Sequence, residues 1–547
     1  MAIAPSANFL AQLSQKNKPH VVLEVALDSG TVKWAYAKDS NTSDALPIIK
    51  SVSSLQNKLD PKSGYASRGQ ITIVISGRDY IKALISAEYL KNRRVVYKTG
   101  FLGLAYADYC AMYSGKITEW SRKGDELTLI VADDMVETSK KIPAENATKT
   151  QYIDYRNTAP MSIVDDILTT QLSIGAGYVD SAALTSEGST WLGGWKFDRV
   201  ITEPREAKDY LNELQVETIS WLFHDGDKIT GKVFAPPLPG QTVEEYTDNK
   251  HIQYDSLSAK SGYRDNFYNR VVVYYDYDES GSDKEDNYEA AVISVDSASQ
   301  SSAEWDETST KTIKSKWMRS RTYTQASNVT GVVLYHVSRN NGTGSGTLTY
   351  NATNKTLTWT PPGATVGETV NVTKDGKYQV FGADKTKWIR VIVTYASLAG
   401  GNQSDTITIS SLGGETYATT IANKLLSHYR NPPVTVTFSI DLNNIAYGGY
   451  LIRPTDLKDI TTDEAFEKGD TTWVQERCML LFVRPDFSSS KIDVEAIESK
   501  MYRRYMFIAP AGYPDYGSAT AAQKEYWFIG DANNKVNSGA EDGYYLW

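Results

Sequence analysis

The residues best suited to chemistry are few and scattered in this chain. Its 547 residues include only 5 His and 2 Cys. His20, His224, His251, His336 and His428 share no spacing that would seat two of them on one metal ion. Cys110 and Cys478 belong to no CxxC pair and read as two reduced thiols, which argues against a disulfide-built domain. The signatures GxSxG, GxxxxGK[ST], HExxH and GxGxxG are all missing. Adjacent carboxylates occur at Asp133–Asp134 and Asp165–Asp166, but acid/base work needs two carboxyl groups facing one cleft. Neighbours on a helix, as Asp165 and Asp166 are expected to be, point to different sides.

Two patterns are more specific. The run DYDESGSDKEDNYE (276–289) places Asp276, Asp278 and Ser280 at alternate positions before Gly281, as a calcium loop begins. Its twelfth position is Asn287, where a bidentate Glu belongs, and a strand precedes it, so an acidic hairpin tip competes with the metal reading. Further on, Trp359, Tyr378 and Trp388 could stack a sugar ring. They could equally fill a sandwich core, and the bias of large aromatics toward burial favours the core. A basic run, KTIKSKWMRSR (311–321), reads as a solvated strand edge guarded by Lys and Arg rather than as a phosphate strip.

The elements that would carry these residues are mostly strands. VVLEVAL (21–27), ITIVIS (71–76), LTLIVAD (127–133), RVVVYYDY (270–277), VVLYHV (332–337), TLTWT (356–360), IRVIVTY (389–395) and VTVTFSI (434–440) are rich in β-branched and aromatic residues. Turn chemistry such as NNGTGSG, PPG and KDGK separates them, and HDGD (224–227) reads as a hairpin turn. Helices are expected singly, over 78–90, 159–172, 203–215 and 415–430. The third has Thr202 as a cap with Pro204 in its first turn, and Pro432 ends the fourth. The predicted class is mainly β with a few single helices (α+β).

Composition bounds the function. The chain has 36 Tyr and 12 Trp and a net charge of −9. Tyr and Trp suit contacts in which a large apolar body keeps one polar edge satisfied, and the acidic balance argues against a general nucleic-acid binder. No stretch of about 18 apolar residues is present, and the first twenty residues show no signal-peptide pattern. Segment 328–404 is Thr-, Gly- and Asn-rich, with no helical pattern, and reads as an inserted β-sandwich.

The order of pieces carries a resemblance. ITIVISGRDY, RRVVYKTGFLG (93–103), GKITEWSRKGDELTLIVADD (115–134), NTAPMSIVDDIL (157–168), RVITEPREAKDYLNELQ (199–215) and ISWLFHDGDKITGKVF (219–234) follow one another. FYNRVVVYYDY (267–277), ANKLLSHYRNPPVTVTFSI (422–440) and NNIAYGGYLIRPTDL (443–457) come later. This series resembles the central hub family of phage tails and baseplates, related to contractile-tail and gene-transfer-agent hubs. The resemblance implies two tube-like β-barrel domains, over 1–135 and over 266–327 with 405–500. An α/β region (136–265) would lie between them, with the sandwich (328–404) inserted in the second.

It also implies a structural homotrimer in the virion, assembled in the host cytoplasm, with no catalytic residue and no cofactor. Its partners would be the tail tube or distal tail protein, the tape measure protein C-terminus and tip, spike or fibre proteins. Sequence-specific nucleic acid binding and a membrane span are not expected. The aromatic segment 501–547, with Tyr513, Tyr516, Tyr526, Trp527, Tyr544, Tyr545 and Trp547, reads as a subunit-docking segment. Two alternatives stay open. One is a receptor- or glycan-binding tail-tip or fibre protein. The other is a cell-wall-degrading glycosidase or peptidase.

Overall fold

The computed structural model describes residues 5–499 apart from 16–17, 54–56, 60–68, 145–151, 238–241, 249, 262–266, 280–283, 302–307, 399, 431–432, 442–451, 465–471 and 487–490, together with 535–536 and 541–542. The fold is mainly β with helices placed singly. Helix α1 (Ala7–Ser14) is capped by Ser6, whose Oγ accepts from the Phe9 amide at 3.0 Å, and it buries Phe9 and Leu13. The first sheet then gathers β1 (Pro19–Leu27), β2 (Gly30–Ala35), β3 (Ile49–Val52), β5 (Gln70–Ser76), β6 (Arg94–Phe101), β7 (Cys110–Lys123) and β8 (Glu126–Ala132). Strand β4 (Asn57–Lys58) leaves this sheet for another. Alternation drives the assembly: in β5 Ile71, Ile73 and Ile75 are buried while the intervening residues are partly exposed. Helix α2 (Arg78–Ala87) turns Ile81 and Leu84 into the same core.

The sheet order is β2-β1-β6-β7-β8-β5-β3. This corrects the expected barrel. The sheet stays open, because the chain ahead of β3 touches β2 through a single bridge, Trp34 to Leu46, and among the described residues no ladder joins the two edges.

A helical region follows. Its short strands β9 (Lys141–Ile142), β10 (Ile153–Asp154), β11 (Val200–Ile201) and β12 (Arg205–Glu206) pair as β9–β12 and β10–β11. Helix α3 (Pro160–Asp166) runs on through a π-turn at Ile167–Gln171 and packs on α4 (Ser181–Trp191). Helix α5 (Ala207–Thr218) starts later than Thr202 and Pro204 predict, since Arg205 and Glu206 are held in the ladder with β9. Strands β13 (Ser220–Asp225) and β14 (Lys228–Val233) form the hairpin expected around HDGD.

Next come β15 (Glu245–Thr247), β16 (Ser258–Ser261), β17 (Arg270–Tyr277), β18 (Tyr288–Val295), α6 (Ser297–Gln300) and β19 (Thr310–Lys314). Strands β18-β17-β19 form a small sheet under α7 (Gly414–Tyr429), which buries Tyr417, Ala418, Ile421 and Ala422. Between them lies the sandwich. One of its sheets orders β20 (Arg321–Gln325), β22 (Gly344–Asn351), β23 (Thr356–Thr360), β24 (Thr369–Asn371) and β27 (Gln403–Ser411) as β20-β27-β22-β23-β24. The other orders β21 (Val332–Val337), β25 (Gly376–Phe381) and β26 (Trp388–Val393) as β21-β26-β25. The inner faces share one core that includes Leu348, Leu357, Trp359, Val380, Val391 and Ile407.

Strands β28 (Val434–Asp441), β29 (Leu457–Thr462), β30 (Trp473–Asp486) and β31 (Lys491–Glu498) complete a second large sheet, β15-β29-β30-β31-β28-β16, with β4 also paired to β30. It too is open, so neither expected barrel is closed. Among the described residues no helix is long and apolar enough to cross a membrane.

The two large sheets repeat one topology. In chain order β1, β3, β5, β6, β7 and β8 correspond to β15, β16, β28, β29, β30 and β31, and the spatial orders β1-β6-β7-β8-β5-β3 and β15-β29-β30-β31-β28-β16 then coincide. Both central strands, β7 and β30, have 14 residues. Each carries a β-bulge at its ninth residue, Thr118 opposite Ile130–Val131 and Leu481 opposite Glu495–Ala496. Among these six strands the pairing directions differ at one place: β1 runs antiparallel to β6, whereas the three-residue β15 runs parallel to β29.

The sandwich core gives a direct test of packing. A Cβ at Gly346 would collide with the Trp359 ring and sit 2.7 Å from the Thr360 carbonyl oxygen. Trp359 cannot swing aside, because its Nε1 donates to Asn341 Oδ1 at 3.0 Å. Gly346→Ala should therefore lose about 1–3 kcal/mol, read as a lower urea midpoint in fluorescence-detected unfolding. An unchanged midpoint would show that the core can relax around the added methyl.

Candidate functional site

The groups with chemical potential are separated, and most of them are held in local hydrogen bonds. His20 Nδ1 lies 2.9 Å from the Tyr109 hydroxyl, and its Nε2 lies 3.1 Å from the Ala37 carbonyl. His428 Nδ1 is 2.7 Å from the Ser499 carbonyl. His224 Nδ1 is 3.1 Å from the Gly226 carbonyl, and burial pushes this imidazole down to about 4. Burial lifts the Cys110 thiol to about 11 and the Cys478 thiol well above its usual range, so neither supplies a ready thiolate. Asp165 accepts from Ser181 Oγ at 2.6 Å, while Asp166 accepts from the Tyr155 hydroxyl at 2.8 Å. Asp133 takes the Gly69 amide at 2.6 Å, and Asp134 takes Arg94 through both terminal nitrogens, at 2.6 and 2.9 Å. Among the described residues no group of three or more His, Cys, Asp or Glu is arranged to hold a metal ion.

The calcium-like residues fall into a charged seam between the sandwich and the body. Asp276, in the left-handed region at φ +56°, accepts from both the amide and the Oγ of Ser320, each at 2.6 Å. Asp278 is ion-paired with Arg390 on β26. The two carboxylates are thus turned to different partners, and Ser280 lies outside the described residues. Arg319 donates to the Tyr277 carbonyl and reaches Glu279 at 2.9 Å. Glu289 accepts the Arg339 amide at 2.9 Å, and Lys377 bonds Glu203 at 2.6 Å. A cavity of about 20 Å³ remains among Asp198, Glu289, Arg319, Arg321 and His336. Burial lifts the Asp198 carboxyl to about 6.

The stacking candidates separate as well. Trp359 is 0% exposed, so neither face of its ring is open to a sugar. Tyr378 pairs across the ladder with Val391 and leans on the sandwich core. Trp388 projects from the opposite face, with its neighbours Arg390 and Ile392. That outer face is docked on the body: Tyr335 and Ile392 pack with Val200 and Tyr152, and Trp388 lies 5.2 Å from the His336 ring and 4.2 Å from the Arg390 guanidinium. The three aromatics therefore do not form one platform. The docking aromatics Tyr513, Tyr516, Tyr526, Trp527, Tyr544, Tyr545 and Trp547 lie outside the described residues.

The joint between the two large sheets is the arrangement that sequence reading missed. Strand β4 crosses over and pairs with β30, Lys58 opposite Phe482 and Asn57 opposite Val483, and the Leu59 amide donates to the Leu481 carbonyl at 2.8 Å. A two-residue strand has no period to detect. A second link runs from the β13–β14 hairpin: Asp225 is ion-paired with Arg453 ahead of β29. Buried residues of both sheets belong to one continuous apolar cluster.

Neither the known protein-family models nor the curated proteins yield a match to this chain. Among solved structures it is similar to the 43 kDa tail protein of prophage MuSo2 from Shewanella oneidensis, with a TM-score of 0.40 and 8% identity. That similarity spans 88% of this chain and 98% of the other. A likeness at that level fixes neither fold nor function.

The basic run is less solvated than its charge implies. Trp317 and Met318 are fully buried, and Trp317 Nε1 donates to Glu213 at 3.0 Å. Glu213 also joins Arg199 at 2.5 Å and Arg205 at 2.9 Å. One turn along α5, Glu217 accepts from Ser315 Oγ and from the Lys316 amide. Burial lifts the Glu217 carboxyl to about 8, and the Glu213 charge adds to the rise. Between an unfolded value of about 4.3 and that folded value, the native state holds a proton that the unfolded chain has lost, so stability falls as pH rises across the window. Glu217→Gln should remove that slope. The variant should match the parent near pH 4 and exceed it above about pH 8 by on the order of a few kcal/mol. Urea unfolding at a series of pH values decides it, and parallel profiles would refute the buried-acid assignment.

Proposed function

We propose that this chain is a structural hub of a bacteriophage tail. In this reading it works as a homotrimer that joins a hexameric tail tube or distal tail ring to a three-fold tip, around the DNA channel and the end of the tape measure protein. The observation that carries the reading is the repeated topology: one chain holds two large sheets with the same strand order and the same bulge position. Three such chains present six like sheets around an axis, while their remaining parts keep three-fold symmetry. The order of sequence elements resembling hub proteins supports it independently.

The role is mechanical rather than catalytic, and it requires no cofactor. A net charge of −9 suits a channel through which an anionic genome must slide without sticking. The sandwich, docked through the charged seam, adds bulk to the outside of such a ring. The place of action is the virion, with assembly in the host cytoplasm. Electron microscopy of the particle that contains this chain tests the proposal. The expected result is three copies in a ring on the tail axis; six copies, or density confined to peripheral fibres, would overturn it.

A further inference from the structure

The two central strands differ in one respect that their shared topology makes conspicuous. In the second sheet, β29 pairs with β30 from Trp473 to Met479, and β4 takes the same side further on, at Phe482 and Val483. Strand β31 occupies the other side from Cys478 to Asp486. In the first sheet β6 pairs with β7 only as far as Lys116, with the Ile117 carbonyl accepting from Asn92 at 2.7 Å. Beyond that point β8 covers one side, and among the described residues nothing pairs with the other. Aligned on their bulges, Thr118, Glu119 and Trp120 stand where Leu481, Phe482 and Val483 stand in β30.

The hairpin geometry fixes which backbone groups are left over. The two-residue turn Gly124–Asp125 makes Lys123 and Glu126 a hydrogen-bonded pair, so Lys123 and Ser121 direct their amides and carbonyls toward β8. Arg122 and Trp120 then direct theirs outward. The same parity holds in β30, where the carbonyl of Leu481 faces β4 and accepts from Leu59. Residues Glu119 to Lys123 are all exposed, and Trp120 is 43% exposed, an unusual setting for a Trp on an open edge. The bland alternative is a hairpin tip that Glu119, Arg122 and Lys123 keep in solution.

We infer that the outer half of β7, from Thr118 to Arg122, is a docking edge for a second copy of this chain, which adds an extended segment there as β4 is added to β30. Within one chain the first sheet lends a strand to the second. Around a ring the second sheet of one copy would lend a strand to the first sheet of the next, so every like joint is made alike. The inference rests on the hub reading only in taking the partner to be a like subunit.

The test uses the full chain at concentrations where it assembles, followed by sedimentation and hydrogen exchange. Amides of Trp120 and Arg122 should exchange at least about tenfold more slowly in the assembly than in dilute monomer. Trp120→Pro, which removes an outward amide, should sediment as monomer with an unchanged far-ultraviolet spectrum, and Trp120→Phe should assemble as the parent does. A folded Trp120→Pro that assembles normally, or unprotected amides in the assembled parent, overturns the inference. Should the proline variant fail to fold, exchange in the parent decides alone. A three-fold assembly with an unprotected edge refutes the docking edge and leaves the hub. A protected edge in an assembly of other symmetry supports the docking edge and refutes the hub. A parent that stays monomeric refutes both.

Discussion

A long strand exposes backbone groups wherever it outruns its neighbours, and each buried amide or carbonyl must find a partner. That constraint organises this protein. Strand β30 has 14 residues and β29 reaches only from Trp473 to Met479, so half of that side of β30 is left over. Three residues from the first half of the chain, Asn57 to Leu59, fill part of it. The cost is that the first sheet gives up a piece of itself. The gain is that two sheets distant in sequence become one unit, with buried residues of both in a continuous apolar cluster. A bulge beside the joint at Leu481 twists β30 at the point where its partner changes from β29 to β4.

Much of the local structure was legible from residue types. The Val-, Ile- and Thr-rich runs at 21–27, 71–76, 270–277 and 434–440 all lie on strands, and the helix expected over 415–430 is α7, Gly414–Tyr429. Helix α5 starts later than its sequence suggests: Thr202 and Pro204 resemble a cap, while the ladder to Lys141–Ile142 holds Arg205 and Glu206 extended. Ladder partners far away in sequence override a local capping signal. Helix α4 escaped notice because SAALTSEGSTW has a single fully buried apolar position, Leu184, and so no stripe. Sheet closure was beyond reach for another reason. Alternation tells which face of a strand is buried, but an open sheet with curled edges and a closed barrel have the same alternation.

The candidate sites show the same divide between residue type and place. Asp276 and Asp278 have ligand-like spacing, yet one sits in the left-handed region near the end of β17 and the other lies just past it, so they take the partners the next layer offers. Here those are Ser320 and Arg390, brought in from 44 and 112 residues away. Trp359 and Trp388 are both aromatic residues on adjacent-layer strands, and only the register decides that one enters the core and the other faces the body. Sequence reading supplied the correct residues for contacts but no means of knowing what each would touch.

The sandwich is joined to the body in a manner unlike its own interior. Inside, Trp359, Leu348, Ile407 and their neighbours make an apolar core, and one fully buried carboxylate on the same face of β27, Asp405, is held by Gln325 at 2.8 Å. Between it and the body lie Asp278–Arg390 and Lys377–Glu203, with an apolar contact of Val200, Tyr335, Ile392 and Tyr152. Apolar cores tolerate any neighbour of similar volume, whereas ion pairs fail when one partner is displaced. The seam therefore contributes orientation more than adhesion: it holds the outer face of β21, β25 and β26 in one register on the body. An insert attached only through β20 and β27 needs such a device, because its two covalent links enter at one end and leave rotation about that end unrestrained. One residue of the metal-like run, Asp278, supplies one of the pins against that rotation through Arg390 on β26.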